Sequence, residues 1–302
     1  MRKDVPAADV MIRDSLAEQL YAKDTHFVYE LIQNAEDTNY STANSDLEDP
    51  WLRFTLGEDH IIIDSNEDGF SEANIIALCS VGESTKKSKR GYIGEKGIGF
   101  KSVFKVADKV HVQSGPYSFA FEYHRDGDDN GLGMVTPMNE DRLYIDTGVR
   151  TRITLQLGKD CDRNALQKDF MDLPDTLILF LRKLRRLSVR ISRSNCPEYE
   201  HSYSLAAFDD RVCITKSINN CVSTQEFWIT RRRATGMPAD KSRATITEAE
   251  VVLAFPLNAN NMPVVEDQYA SAFLPLRKVG YKASCCTDIY LKLYNSHPGS
   301  SS

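Results

Sequence analysis

The sequence predicts an α+β fold in which helices pack on a largely antiparallel sheet, and three observations carry that prediction. Apolar residues recur at helical spacing in the N-terminal fifth of the chain. A strand, a turn and a second helix follow. The strand-like segments after residue 108 then succeed one another without the regular strand–helix alternation of a doubly wound sheet. The chain has 302 residues, 41% hydrophobic and 26% charged, a globular balance that can bury a core and fill one large or two modest domains.

Between residues 22 and 40, Phe27, Val28, Leu31, Ile32 and Ala35 fall on one helical face, with Asp24 or Thr25 available as N-cap. Residues 60–64 read as a short buried strand running into Glu67-Asp68-Gly69, a turn, after which Ser71 caps a helix from 72 to about 80. A Lys-rich polar stretch (83–90) precedes a glycine loop (94–99). Phe100, Val103, Phe104 and Ala107 then predict an amphipathic helix. Strands are expected at 109–113, 117–123 and 152–157. A helical stretch at 177–184 leads into β-rich segments at 187–191, 212–216, 226–231 and 251–255. Residues 41–50, 125–133, 237–242 and 296–302 read as polar loops or ends. A soft boundary near 195 divides the chain into 1–195 and 196–302.

Lys plus Arg number 37 and Asp plus Glu 43, so a net charge of −6 gives no global attraction to a polyanion and disfavours nucleic acid as the main partner. The longest apolar runs, such as 177–181, fall far short of the ~20 residues a membrane helix needs, and the polar N-terminus has no signal-peptide core. A soluble intracellular protein without a membrane partner is expected. Seven cysteines without a Cys-x-x-Cys pair suit reduced thiols, with the cytoplasm as default compartment.

Glu30, Asn34 and Asp37 lie at i, i+4 and i+7, one polar stripe beside the apolar face; alone, such a stripe is an ordinary solvated surface. Gly94, Gly97 and Gly99, opening a helix, let backbone amides approach an anion, which suits phosphate, although a glycine-rich helix cap has the same composition. The loop fits neither the Walker spacing nor Gly-x-Gly-x-x-Gly. His26, His60 and His111 share no ligand spacing.

Taken together and in order, Glu30-Leu-Ile-Gln-Asn34-Ala-Glu-Asp37, Asp64-Ser-Asn-Glu-Asp-Gly69-Phe and Gly94-Glu-Lys-Gly97-Ile-Gly99-Phe100-Lys-Ser-Val-Phe104 resemble the three boxes of the GHKL ATPases. The wording of the third box is similar to that of NO VEIN-like and sacsin-like proteins. The resemblance covers residues 10–195 and extends loosely to 282. It implies a two-layer α/β sandwich of the Bergerat type with a mixed, mostly antiparallel sheet, ATP as ligand and Mg²⁺ as cofactor.

By the same resemblance Glu30 is the general base that orients the attacking water, and Asn34 holds Mg²⁺. Asp64 accepts from the adenine amino group, Gly69 lies against the base, and Thr151 completes the adenine network, although Arg150 stands where the family has glycine. Ser84 and Thr85 sit where the family has a lid. Gly94, Lys96, Gly97, Ile98, Gly99 and Phe100 surround the phosphates, and Lys101 is a weaker candidate. Asp37 supports the first helix.

The segment 273–282 (Phe-Leu-Pro-Leu-Arg-Lys-Val-Gly-Tyr-Lys) is similar to the start of the element that supplies the γ-phosphate-sensing basic residue. The expected Arg-Glu continuation is missing, so the chain reads as part of a longer protein, with Arg277 or Lys278 as the substitute sensor. The function these features imply is an Mg-ATP-binding module of a chaperone-like protein with slow hydrolysis, with client or partner proteins. The alternative is a non-hydrolysing nucleotide-binding scaffold or a relic of a larger protein. The nucleus stays open as a compartment, because NO VEIN-like proteins can be nuclear.

Overall fold

The structure is a computed structural model that describes residues 26–79, 100–122, 136–194, 197–235, 248–265, 267, 269–272, 274–278 and 284–287. The chain is α+β, with a mixed, mostly antiparallel sheet and few helices. It divides into two compact units, residues 1–205 with 215–223, and residues 206–214 with 224–302.

In the first unit, α1 (His26–Asp37) buries Phe27, Val28, Leu31, Ile32 and Ala35, the stripe its periodicity predicts. Asp24 and Thr25 lie outside the described residues. A short helix, α2 (Ser41–Ser45), forms where the sequence suggests only a polar loop. Next come β1 (Trp51–Leu56), β2 (His60–Ser65) and α3 (Glu72–Cys79). The N-terminus of α3 is closed reciprocally: the Ser71 hydroxyl accepts from the Asn74 amide (3.3 Å), and the Asn74 side chain accepts from the Ser71 amide (2.9 Å).

After a 3₁₀ turn (Lys101–Lys105) the chain runs through β3 (Ala107–Ser114), β4 (Tyr117–Glu122), β5 (Thr136–Asn139) and β6 (Thr151–Leu157). Among the described residues the amphipathic helix expected through Ala107 ends in this turn. Phe100, Val103 and Phe104 are buried within it, and Val106 and Ala107 already feed the sheet. α4 (Arg163–Met171) and β7 (Arg186–Ile191) follow, then β8 (Tyr199–Phe208) and β9 (Arg211–Ile218), whose residues are divided between the units.

α4 was not expected from the sequence, although Asp162 caps it by accepting from the Asn164 and Ala165 amides, both at 3.0 Å, and Leu166 and Phe170 are buried one turn apart. The helix expected at 177–184 is absent. Leu177, Leu179 and Leu181 donate to carbonyls three residues back, making successive turns, and every residue from Leu177 to Leu181 is buried. A run buried on all sides has no period to distinguish helix from turn.

Strands of the first unit are ordered β5-β4-β3-β6-β2-β1-β7-β8, with β1 and β7 parallel. Side chains alternate between faces. Leu52, Phe54 and Leu56 lie opposite Ser65, Ile63 and Ile61, and these lie opposite Thr151, Ile153 and Leu155. The Phe54 ring is 5.6 Å from Phe170 of α4, which is 6.5 Å from Phe27 of α1, so this is the inner face, covered by helices. Arg53, Asp64 and Arg152 belong to the outer face.

The second unit contains β10 (Cys221–Thr235) from residue 224 on, β11 (Glu248–Leu257), β12 (Tyr269–Ala272), β13 (Leu274–Lys278) and β14 (Ser284–Thr287), in the order β10-β11-β14-β12-β13. Trp228 packs on Phe255 (5.6 Å) and donates its indole N–H to Asp210 at 2.9 Å. Among the described residues no helix is long and apolar enough to cross a membrane.

Candidate functional site

Three neighbouring strands bring one hydroxyl-bearing side chain each to the same end of the inner face. Ser65 ends β2, Thr151 begins β6 opposite it, and Ser114 ends β3 opposite Thr151. All three are buried, at 4%, 4% and 0% exposure. The Ser114 and Thr151 hydroxyls are 2.6 Å apart, and the Phe70 amide donates to Ser114 Oγ at 2.7 Å. Polar groups this deep in an apolar face are costly unless hydrogen-bonded, and here Ser114 and Thr151 meet each other.

Gly69 closes the row. Its φ is +94°, and a Cβ there would come within 3.3 Å of Ser114 Oγ, so backbone lies directly against the hydroxyl row where any side chain would be strained. α1 covers this face, and Glu30 and Asn34 are half-buried at the margin of its apolar stripe.

Two carboxylates hold α1 and the β2 turn in place. Glu36, itself buried, accepts from three successive amides of the turn before β7: Arg182 and Lys183 at 2.6 and 2.8 Å, and Leu184 at 2.9 Å. Asp68 accepts from the Ser41 and Thr42 amides at 2.9 and 2.8 Å, while its own amide donates to Asn39 O at 2.8 Å. A negative charge at the start of α2 is favourable. Desolvation works to raise the Asp68 pKa, but the Thr42 and Ser41 amides and hydroxyls outweigh it and hold the carboxyl at about 2.

The folded Asp68 thus binds its proton more weakly than the unfolded one, whose pKa is near 3.8. Its contribution to stability is complete above the ordinary carboxylate range and is lost as pH falls toward about 2. Thermal melts from pH 7 to pH 2 should show Asp68→Asn with a smaller acid-induced fall in Tm than the wild type; parallel curves would exclude this role.

Thr151, Gly69 and, through its amide, Phe70 are brought together on Ser114. Phe100 is buried with its ring 6.2 Å from Phe121. It serves as core at the start of the 3₁₀ turn. Asp64 is not brought to this row. It pairs across the sheet with Arg53 and Arg152, on the outer face, so it and Thr151 point to opposite sides.

Both Asp64 carboxylate oxygens are occupied. Arg152 donates to Oδ1 at 2.6 Å and to Oδ2 at 2.9 Å, and Arg53 to Oδ2 at 2.8 Å. The residue on the Thr151 side is its neighbour Ser65, which a reading along the chain cannot separate from Asp64. Ser114 lies in no motif, and Glu36 stands inside the first box without a role of its own there. Ser84, Thr85, Gly94, Lys96, Gly97, Ile98 and Gly99 lie outside the described residues, as does the side chain of Lys101.

Among the described residues no group of three or more His, Cys, Asp or Glu side chains could hold a metal ion. The half-buried Asn34 carries an amide oxygen, a ligand type that suits a hard cation.

Over part of its length the chain is similar to sacsin: the Sacsin domain matches residues 10–125. Among individual proteins it is similar to Protein NO VEIN of Arabidopsis thaliana, with 33% identity over 293 residues, covering 88% of this chain and 10% of that protein. It is also similar to the Chaperone protein HtpG of Chlorobium phaeovibrioides, with 32% identity over 125 residues, covering 33% of this chain and 20% of HtpG. The chain thus spans about a tenth and a fifth of these two relatives. A solved structure, the N-terminal domain of a DNA repair protein, superposes with a TM-score of 0.43 at 12% identity, covering 87% of this chain and 77% of that one.

Proposed function

We propose that the first unit is an Mg-ATP-binding module of the GHKL type, with a Bergerat-like arrangement of helices on its inner sheet face, serving a chaperone-like protein. The observation that carries this reading is the buried row Ser65–Thr151–Ser114 closed by Gly69, on the sheet face against which α4 and, through Phe170, α1 with its Glu30 and Asn34 pack. Hydroxyls can donate and accept, so Ser65 and Thr151 have the chemistry to meet the polar edge of an adenine ring. Ser65 takes here the part that sequence reading gave to Asp64. Similarity to a chaperone over 125 residues supports the reading.

In this reading Asn34 would give its amide oxygen to Mg²⁺, which would offset phosphate charge. Glu30, half-buried on the same helical stripe, accepts a proton from the attacking water. Hydrolysis is slow, and nucleotide occupancy is the signal passed to client or partner proteins.

Calorimetric titration with ATP and ADP, with and without Mg²⁺, tests the site. Thr151→Val removes one hydroxyl at nearly constant volume and should weaken ATP by about tenfold, the worth of one buried hydrogen bond and the partner it leaves unmet. A wild-type protein that is folded by circular dichroism and takes up no nucleotide would refute the reading.

A further inference from the structure

We infer that the ion-paired row Arg53–Asp64–Arg152 on the outer face positions Ser65 and Thr151 on the inner face, which makes Asp64 and Arg152 positioning residues for the nucleotide site. The inference rests on the reading of that site given above. It begins from where the row stands in the ladder. Ser65 is the last residue of β2 and Thr151 the first of β6, so the pair that faces the site is the terminal rung, followed only by the Arg150 amide donating to Ser65 O at 2.9 Å. Terminal rungs open first. Asp64 and Arg152 form the next rung inward.

That rung is fastened by side chains as well as backbone. The Arg152 guanidinium takes both carboxylate oxygens of Asp64, and Arg53 takes one of them from the other side, so three adjacent strands share one carboxylate. The Asp64 side chain is 2% exposed and that of Arg152 14%. A planar fork held on a desolvated carboxylate fixes orientation as well as distance. Because neighbouring residues on a strand point to opposite faces, fixing Asp64 against Arg152 fixes the spacing and direction of Ser65 and Thr151 on the other side.

The same guanidinium carries the segment between β5 and β6 across the outer face. Arg152 Nη1 donates to Tyr144 O at 3.3 Å, and Arg152 and Arg53 lie 3.5 and 3.6 Å from the Asp146 carboxylate. Gln113, beside Arg152 in the next strand, donates to Leu143 O at 3.0 Å. The chain entering β6 is therefore tied to the same row that sets the first rung of that strand.

The test compares wild type, Asp64→Asn, Arg152→Gln and Arg53→Gln by titration with ATP and inosine triphosphate, which lacks the 6-amino group, and by hydrogen–deuterium exchange. Asp64→Asn and Arg152→Gln should weaken both nucleotides by the same factor, roughly tenfold, as loss of charge-assisted bonds implies, with Arg53→Gln weaker in effect because it removes one bond rather than two. Exchange at the Arg150 amide should quicken in the first two variants, while the Leu205 amide, bonded to Arg185 O at 2.8 Å, keeps its wild-type rate.

If Asp64→Asn weakens ATP and leaves inosine triphosphate unchanged, Asp64 touches the base and the inference is wrong. Unchanged exchange at Arg150 overturns it as well. A wild type that takes up neither nucleotide removes the proposed function, and exchange at Arg150 still decides whether the row fixes the rung. If Asp64→Asn does not fold, Arg152→Lys keeps the charge, loses the fork and is read in the same way.

Discussion

Glu30→Ala is expected to lower ATP turnover by a factor on the order of 10²–10⁴, the usual contribution of a positioned general base, while nucleotide affinity stays within a few-fold. The separation follows from its place on α1. Glu30 is half-buried at the edge of the stripe that holds the helix on the sheet, so removing its carboxylate leaves the buried anchors Phe27, Leu31 and Ala35 untouched. It lies one turn before Asn34, which keeps the cation in the proposed site. Phosphate release measured beside calorimetric titration checks the split, and Glu30→Gln serves as the isosteric control. Affinity falling in step with turnover would make Glu30 a binding group. A wild type that binds without turnover would favour the non-hydrolysing scaffold.

Glu36→Ala is expected to destabilise the first unit by about 3–5 kcal/mol, the range for removing one side of a buried charge-assisted network. Three amides lose their acceptor at once, and Leu184, among them, is fully buried with no water to replace the carboxylate. At about 2–4 °C per kcal/mol for a domain of this size, Tm should fall by roughly 10 °C. Glu36→Gln retains one acceptor oxygen and should lie between wild type and alanine. A drop of only a degree or two in Glu36→Ala would mean that the 182–184 turn finds other partners.

Where the chain has a clean period or an explicit cap, the elements were legible in the sequence. The α1 stripe, the Ser71 cap and the β2, β3, β4 and β6 strands all follow from spacing and turn residues. Residues 177–181 are buried on every side, which erases periodicity. Asp162 caps α4 with a residue type that favours that role.

Of the candidate residues among those described, Gly69 and Thr151 converge, but on Ser114, which strand pairing brings in from 37 residues away from Thr151. Asp64 and Ser65 are neighbours in the motif and opposites in space, and only the register of β2 against β6 decides which faces α1. Glu36 is hidden for a related reason. Its partners are backbone amides 146 to 148 residues away, and a backbone group leaves no trace in composition.

The parallel pairing of β1 with β7 also sets an order of events for a chain made from its N-terminus. Trp51 meets Arg186 and Leu56 meets Ile191, so β1 can join β2 early but keeps one bare edge until residue 191 has been synthesised. Contacts so distant in sequence close slowly, and an unpaired strand edge invites pairing with other chains in the interval. The buried run Leu177–Leu181 and the turn captured by Glu36 arrive immediately before β7. In a nascent chain α1 would thus be waiting, its carboxylate ready to catch the segment that delivers the missing strand.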